Sequence, residues 1–183
     1  MNGAAQCKGN SSRVSHSPEH LRPTGRWKDT SKRRKQKGFQ MATTTFKSLT
    51  DTTFDSVEGY RQAAEKADSP QLKQALAARG QQREQTLQQM NAELERQGDE
   101  LVTKGTLSGE VHQMWQSITS MFGNSDDNVA ERVEEGEDYL KGKFEKALES
   151  DQLEASERAI VQQCYDDICR GEQFGDMIEK QYD

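Results

Sequence analysis

Four acidic side chains carry the most direct chemistry that this sequence offers. One stands near the middle of each of four predicted helices: Glu58, Glu84, Glu137 and Asp167. Carboxylates at one height inside a helical bundle can bridge two iron or manganese ions and leave coordination positions open for oxygen. These four residues are therefore the candidate metal ligands.

Histidine is missing where such a site needs it. Di-metal bundles of this kind combine their carboxylates with two Glu-x-x-His pairs, and no such pair occurs here. The three histidines are His16, His20 and His112, all outside the four predicted long helices. We therefore expect no bound cofactor and interpret the acids as a solvated face with some arginine pairing. Iron or manganese at an all-carboxylate site is the alternative.

The cysteines do not indicate covalent catalysis. Cys164 lies on an apolar helical stripe, which is typical of a small buried hydrophobic residue. Cys169 is five positions further along the same predicted helix, so the two thiols point in different directions. The sequence also has no phosphate loop, dinucleotide fingerprint or catalytic triad pattern. We expect a protein that is not an enzyme.

Local signals set the ends of the first two predicted helices. Ser48 or Asp51 is the expected cap of the first helix. That helix ends before Pro70, because the residue preceding a proline avoids the helical region. Ser69 then caps the second helix with Pro70 at its first position, and Gly98 ends it.

The order of the helices predicts two hairpins. The third helix covers about 126–149 and the fourth begins near Leu153, so short turns join the helices in pairs. Residues 99–125 connect the pairs, and a short crossover helix is predicted there by the spacing of Val111, Trp115, Ile118 and Phe122. We therefore predict an all-α, antiparallel four-helix bundle over residues 46–183, with the single long crossover of ferritin-like folds.

Two arginines and three glycines near the middle of these helices are unexpected there. Arg79 and Arg83 fall on the stripe of the second helix, so they either extend outward along their stems or pair with acids near the centre. Gly59, Gly136 and Gly171 each cost a helix about 1 kcal/mol relative to alanine. They indicate either a close approach of two helices or room for a ligand.

Residues 1–40 differ in charge from the rest of the chain. They hold ten basic and two acidic residues, a net charge of +8, whereas residues 41–183 carry −14. Their apolar residues have no period, so we predict a disordered basic leader. Met41, followed by Ala-Thr-Thr-Thr, is the expected first residue of the native protein. If the leader is expressed, its basic run at 32–37 could bind nucleic acid, an anionic surface or an import receptor.

Four short runs between residues 46 and 180 form a recognisable combination. They are Val57–Ala64, the Asp68-Ser69-Pro70-x-Leu-Lys turn, His112-x-x-Trp115 and Glu134–Asp138. The combination resembles an uncharacterised bacterial family of ferritin-like four-helix bundles with a domain of unknown function. The resemblance implies a fold and supplies no established activity. A histidine late in the family's last helix corresponds here to Glu172, so the sequence departs from the family at that position.

These observations predict a non-catalytic bundle that binds a protein partner or itself, and the resemblance suggests a stress-related role. The acidic charge after Met41 argues against nucleic-acid binding by the bundle. No apolar run is long enough to span a membrane, and we expect a soluble, cytoplasmic protein. The alternative function is a carboxylate-bridged di-iron or di-manganese oxidoreductase or storage-like protein that uses the four candidate acids.

Overall fold

The computed structural model describes residues 41–104 and 125–182. Within these ranges the chain forms four α-helices and no strand, and all of them lie in one compact unit. The helices are α1 (Thr44–Lys66), α2 (Pro70–Gln97), α3 (Asp126–Glu149) and α4 (Ala155–Tyr182). The predicted all-α four-helix bundle is confirmed. The predicted leader and crossover helix lie outside the described residues.

Local signals place α2 correctly but not the start of α1. The Ser69 hydroxyl accepts a hydrogen bond from the Leu72 amide, with Pro70 at the first helical position, and Gly98 ends α2 with a left-handed φ of 72°. The cap of α1 is Thr43 rather than Ser48 or Asp51. The Thr43 hydroxyl accepts a hydrogen bond from the Phe46 amide at 3.1 Å. The buried Glu157 carboxylate in turn accepts hydrogen bonds from the Thr43 amide at 2.7 Å and hydroxyl at 2.8 Å, which holds the cap from α4.

Polar contacts at the helix ends fix the topology. Asp99, just after α2, accepts a hydrogen bond from the Ala42 amide at 3.0 Å, so α2 ends where α1 begins. Asp126, at the start of α3, accepts hydrogen bonds from the amides of Asp68 and Ser69 in the α1–α2 turn. The end of α2 and the start of α3 therefore lie at opposite ends of the bundle, about 42 Å apart for a 28-residue helix.

The four helices pack around a core in two parts. Helix α1 contacts α2 and α3, and α4 contacts the same two helices. One apolar cluster, which includes Phe46, Leu94 and Phe144, lies at the end where α1 begins. A second cluster, which includes Leu72 and Val133, lies at the opposite end. No helix in the described part of the chain is long and apolar enough to cross a membrane.

Candidate functional site

Buried polar side chains separate the two apolar clusters at the middle of the bundle. We define the central polar layer as Arg79, Arg83, Thr86, Glu137 and Asp167. The first three share one face of α2, because their spacing of four and three residues matches the helical repeat. Glu137 comes from α3 and Asp167 from α4. The layer therefore joins three helices.

Arg83 and Glu137 form the most deeply buried ion pair of the layer. Arg83 is 0% exposed and Glu137 is 1% exposed. Arg83 Nη2 donates to both carboxylate oxygens of Glu137, at 2.9 Å to Oε1 and 2.7 Å to Oε2. Arg83 Nε also lies 3.5 Å from Asp167 Oδ2. One guanidinium thus links α2 to both α3 and α4.

Asp167 is held from α2 by two further residues. Arg79 Nη1 donates to Asp167 Oδ1 at 2.8 Å, and Arg79 Nη2 donates to the Asp167 backbone oxygen at 2.6 Å. The Thr86 hydroxyl donates to Asp167 Oδ2 at 2.8 Å. Burial alone would raise the pKa of Asp167, but the Arg79 hydrogen bond and the charges of Arg83 and Arg79 outweigh it and lower the pKa. Asp167 is therefore ionised at neutral pH.

Gly171 on α4 provides the space that the buried ion pair occupies. A Cβ atom built at Gly171 would lie 2.0 Å from Glu137 Oε2 and 2.3 Å from Arg83 Nη2. Real Cβ atoms do not come so close to other heavy atoms, so no side chain fits at this position without displacing the pair. The room predicted beside this glycine is filled by the protein's own side chains.

Tyr60 borders the layer from α1. Its side chain is 1% exposed. Burial, followed by the charge of Glu137, raises the pKa of Tyr60 well above its usual value of 10.0, so the phenol stays protonated. Among the described residues, Tyr60 Oη, Ser56 Oγ and Arg83 Nη1 have no hydrogen-bond partner. Hydrogen-bonding capacity is thus left over on the α1 side of the layer.

A groove between α1 and α2, on the other side of Tyr60, exposes apolar side chains. This α1/α2 groove has a volume of about 460 Å³ and is lined by Val57, Tyr60, Ala64, Leu76, Ala77 and Gly80, with charged and polar residues at its edge. A Cβ atom at Gly80 would lie 3.1 Å from Tyr60 Cβ, so the glycine lets α1 and α2 approach closely. The groove is open to solvent, whereas the layer is closed.

One family of known proteins matches this chain. Residues 41–150, more than half of the sequence, match a domain of unknown function called DUF2383. The chain belongs to the DUF2383 family. Searches of curated proteins and of solved structures found no match. The DUF2383 match covers α1, α2 and α3, so Asp167 and Gly171 add to the layer from beyond the matched residues.

The DUF2383 bundle brings two of the four candidate metal ligands to its centre. Glu137 and Asp167 both contact Arg83 there. Glu58 lies on the outer side of α1 and accepts hydrogen bonds from Arg61 on the same helix. Glu84 is exposed at the edge of the α1/α2 groove. Among the described residues, no group of three or more His, Cys, Asp or Glu side chains is arranged to hold a metal ion.

Other sequence expectations can be checked in the same bundle. Of the two alternatives for Arg79 and Arg83, pairing with acids near the centre is confirmed. Cys164 is 2% exposed, as predicted, and burial raises the pKa of its thiol to about 12. Glu172 forms an ion pair with Lys141 at 2.8 Å. His112 lies outside the described residues.

Asp55 gives the bundle a testable dependence on pH. Burial, then the charges of Asp51 and Glu58, raises the pKa of Asp55 to about 6. Ionised Asp55 therefore destabilises the folded state above about pH 6, and this cost disappears once both states are protonated, below the ordinary pKa of 3.8. We expect Asp55→Asn to raise the free energy of unfolding near neutral pH by about 1 kcal/mol, allowing for solvent screening.

Urea unfolding at neutral pH and at a pH below the ordinary aspartate pKa checks this prediction. The gain should be present at the first pH and absent at the second. Asp138→Asn, at an exposed position on α3, is the control and should change stability by less than about 0.5 kcal/mol. An equal gain for Asp55→Asn at both pH values would contradict the proposed role of its charge.

Proposed function

We propose that this DUF2383 chain is a non-catalytic binding protein that acts through protein contacts on the outside of its bundle. The observation that supports this is the hydrogen bonding of the central polar layer. All four carboxylate oxygens of Glu137 and Asp167 accept hydrogen bonds from Arg79, Arg83 or Thr86. Each of these oxygens therefore already has a donor, and the positive charges of Arg79 and Arg83 beside them oppose the approach of a metal cation.

The net charge of the chain indicates which class of macromolecule it can bind. Residues 41–183 carry a net charge of −14, which repels the phosphates of nucleic acids. The open α1/α2 groove, in contrast, exposes aliphatic side chains of Val57, Ala64 and Ala77. Such a surface favours the side chains of another protein.

A carboxylate-bridged iron or manganese site is the competing proposal. It is favoured by one observation, which is that Glu137 and Asp167 do meet at the centre of the bundle. A metal ion there would have to displace Arg83. The displaced guanidinium is fully buried, so it would lose Glu137 and Asp167 as charged partners in a medium of low polarity. This cost makes the binding proposal the better supported of the two.

Metal analysis separates the two proposals. The protein is produced in medium with added iron and manganese and purified without chelator or affinity metal, and its metal content is measured by mass spectrometry. We expect less than about one ion per ten chains, together with a folded helical spectrum. About two ions per chain, lost in a Glu137→Gln/Asp167→Asn variant, would establish the metal proposal and overturn ours.

A further inference from the structure

The α1/α2 groove has the shape that accepts a helix. Two antiparallel helices form its walls, and its floor is made of small or aliphatic side chains at helical spacing, among them Ala64, Leu76, Ala77 and Gly80. Small side chains along such a groove let a third helix approach the backbone closely. The question is then which helix fits it.

Opposite charges stand at the two ends of the groove on α2. Lys73 and Glu84 are both exposed and both line the groove. They are eleven residues apart, which corresponds to about 16 Å along the helix and three full turns, so they lie on one face. Ala77 and Gly80 lie between them. The face therefore runs from a positive end, across small residues, to a negative end.

This face of α2 is complementary to the same face of a second copy that is rotated by 180°. In an antiparallel pair of α2 helices related by a two-fold axis, residues at equal distance from the axis on either side stand at the same height. With the axis midway between Ala77 and Gly80, Lys73 stands level with Glu84 of the second copy, and Glu84 stands level with its Lys73. Ala77 stands level with Gly80 of the second copy. One alignment of the two helices therefore pairs opposite charges at both ends and small residues at the centre.

The other charges at the groove do not oppose this pairing. Arg61 on the α1 wall is already bonded to Glu65 at 2.6 Å and to Glu58 at 2.9 Å. The edge of the groove thus carries charges of both signs, on a domain whose net charge after residue 40 is −14. A locally balanced surface is where two acidic copies can meet with least repulsion.

We infer that the α1/α2 groove binds a second copy of this chain, with the two α2 helices antiparallel and Lys73 paired with Glu84 across a two-fold axis. This inference rests on the proposed binding function and names its partner. Each α2 then lies in the groove of the other copy, and the exposed parts of Val57, Ala64 and Ala77 in both grooves become buried.

The first test blocks the centre of the groove. Ala77→Glu places a charge at the two-fold axis, and Ala78→Glu places the same charge at an exposed neighbouring position that does not line the groove. Analytical ultracentrifugation over a wide concentration range should show a dimer for the natural chain and for Ala78→Glu. For Ala77→Glu the dissociation constant should rise at least about a hundredfold.

The second test reverses the charges. In Lys73→Glu alone, or Glu84→Lys alone, like charges face each other at both ends of the interface, and the dissociation constant should rise about tenfold. Lys73→Glu/Glu84→Lys restores opposite charges and should restore the dimer. An equimolar mixture of the two single variants should form a heterodimer, because one copy then supplies both acids and the other both lysines. Circular dichroism of each variant checks the fold, since Lys73 also acts on Asp126.

The outcomes separate this inference from the function on which it rests. A natural chain that stays monomeric at every concentration overturns the second copy as partner, whatever Ala77→Glu does to the stability of the monomer. A dimer that Ala77→Glu abolishes but that neither charge reversal nor mixing restores overturns the antiparallel register. Stoichiometric metal in the metal analysis would overturn the non-catalytic function whatever the oligomeric state.

Discussion

Replacing Gly171 with alanine should lower the free energy of unfolding by about 3–5 kcal/mol, the range for breaking a buried ion pair. The new methyl group would stand 2.0 Å from Glu137 Oε2 and 2.3 Å from Arg83 Nη2. Those atoms belong to side chains that are fully buried and held on several sides. They are the ends of flexible side chains, but both lie in the closed core, so making room for the methyl group disturbs the Arg83–Glu137 pair. Chemical unfolding at neutral pH measures the loss.

Gly142 on α3 is the matched control for this substitution. A Cβ atom at Gly142 would meet nothing within 4 Å. Gly142→Ala should therefore show only the helical preference of alanine and stabilise the protein by about 1 kcal/mol. The two variants are thus expected to change stability in opposite directions. If Gly171→Ala behaved like Gly142→Ala, the close contact at the layer would not be a constraint on the sequence.

The helices could be predicted from the sequence because their ends are set by neighbouring residues. Ser69, Pro70 and Gly98 act on the backbone within one turn, and the structure places α2 between them. The start of α1 could not be predicted in the same way. Thr43 is fixed by Glu157, which lies 114 positions away in the sequence. Thr43 also caps α1 locally, since its hydroxyl accepts a hydrogen bond from the Phe46 amide, but threonine follows at positions 44 and 45 as well, so residue type alone does not say where the helix begins.

The central polar layer could be predicted only in part. Arg79 and Arg83 are recognisable in the sequence because they interrupt an apolar stripe. The stripe does not indicate which of the many acidic residues form ion pairs with them. Glu137 shares a helical face with the buried Val133 and Leu140, so its inward position could be predicted from its place in the helical repeat. Glu84 follows the inward Arg83 by one residue, a rotation of about 100°, which turns it outward.

Arg83→Met should be about as destabilising as Gly171→Ala, because it leaves Glu137 charged, buried and without its partner. Asp167 keeps Arg79 and Thr86, so the cost is concentrated on Glu137. We expect a loss of about 3–5 kcal/mol. Arg61→Met is the control, since Arg61 is 54% exposed and pairs with Glu58 and Glu65 at the surface, and it should lose less than about 1 kcal/mol. Equal losses in the two variants would refute the special cost of the buried charge.

The double variant Arg83→Met/Glu137→Leu then separates stability from specificity. It removes both charges and replaces them with apolar side chains of similar size, so it should recover most of the loss. If it equals the natural chain in stability, the Arg83–Glu137 pair is not there to add stability. Its remaining role is then to fix how α2 and α3 are aligned along their axes. The two side chains of the ion pair meet at one relative position of the helices only, whereas apolar side chains can pack at several. Near-ultraviolet circular dichroism tests this directly, since a bundle without fixed alignment loses its aromatic signal while keeping its helical one.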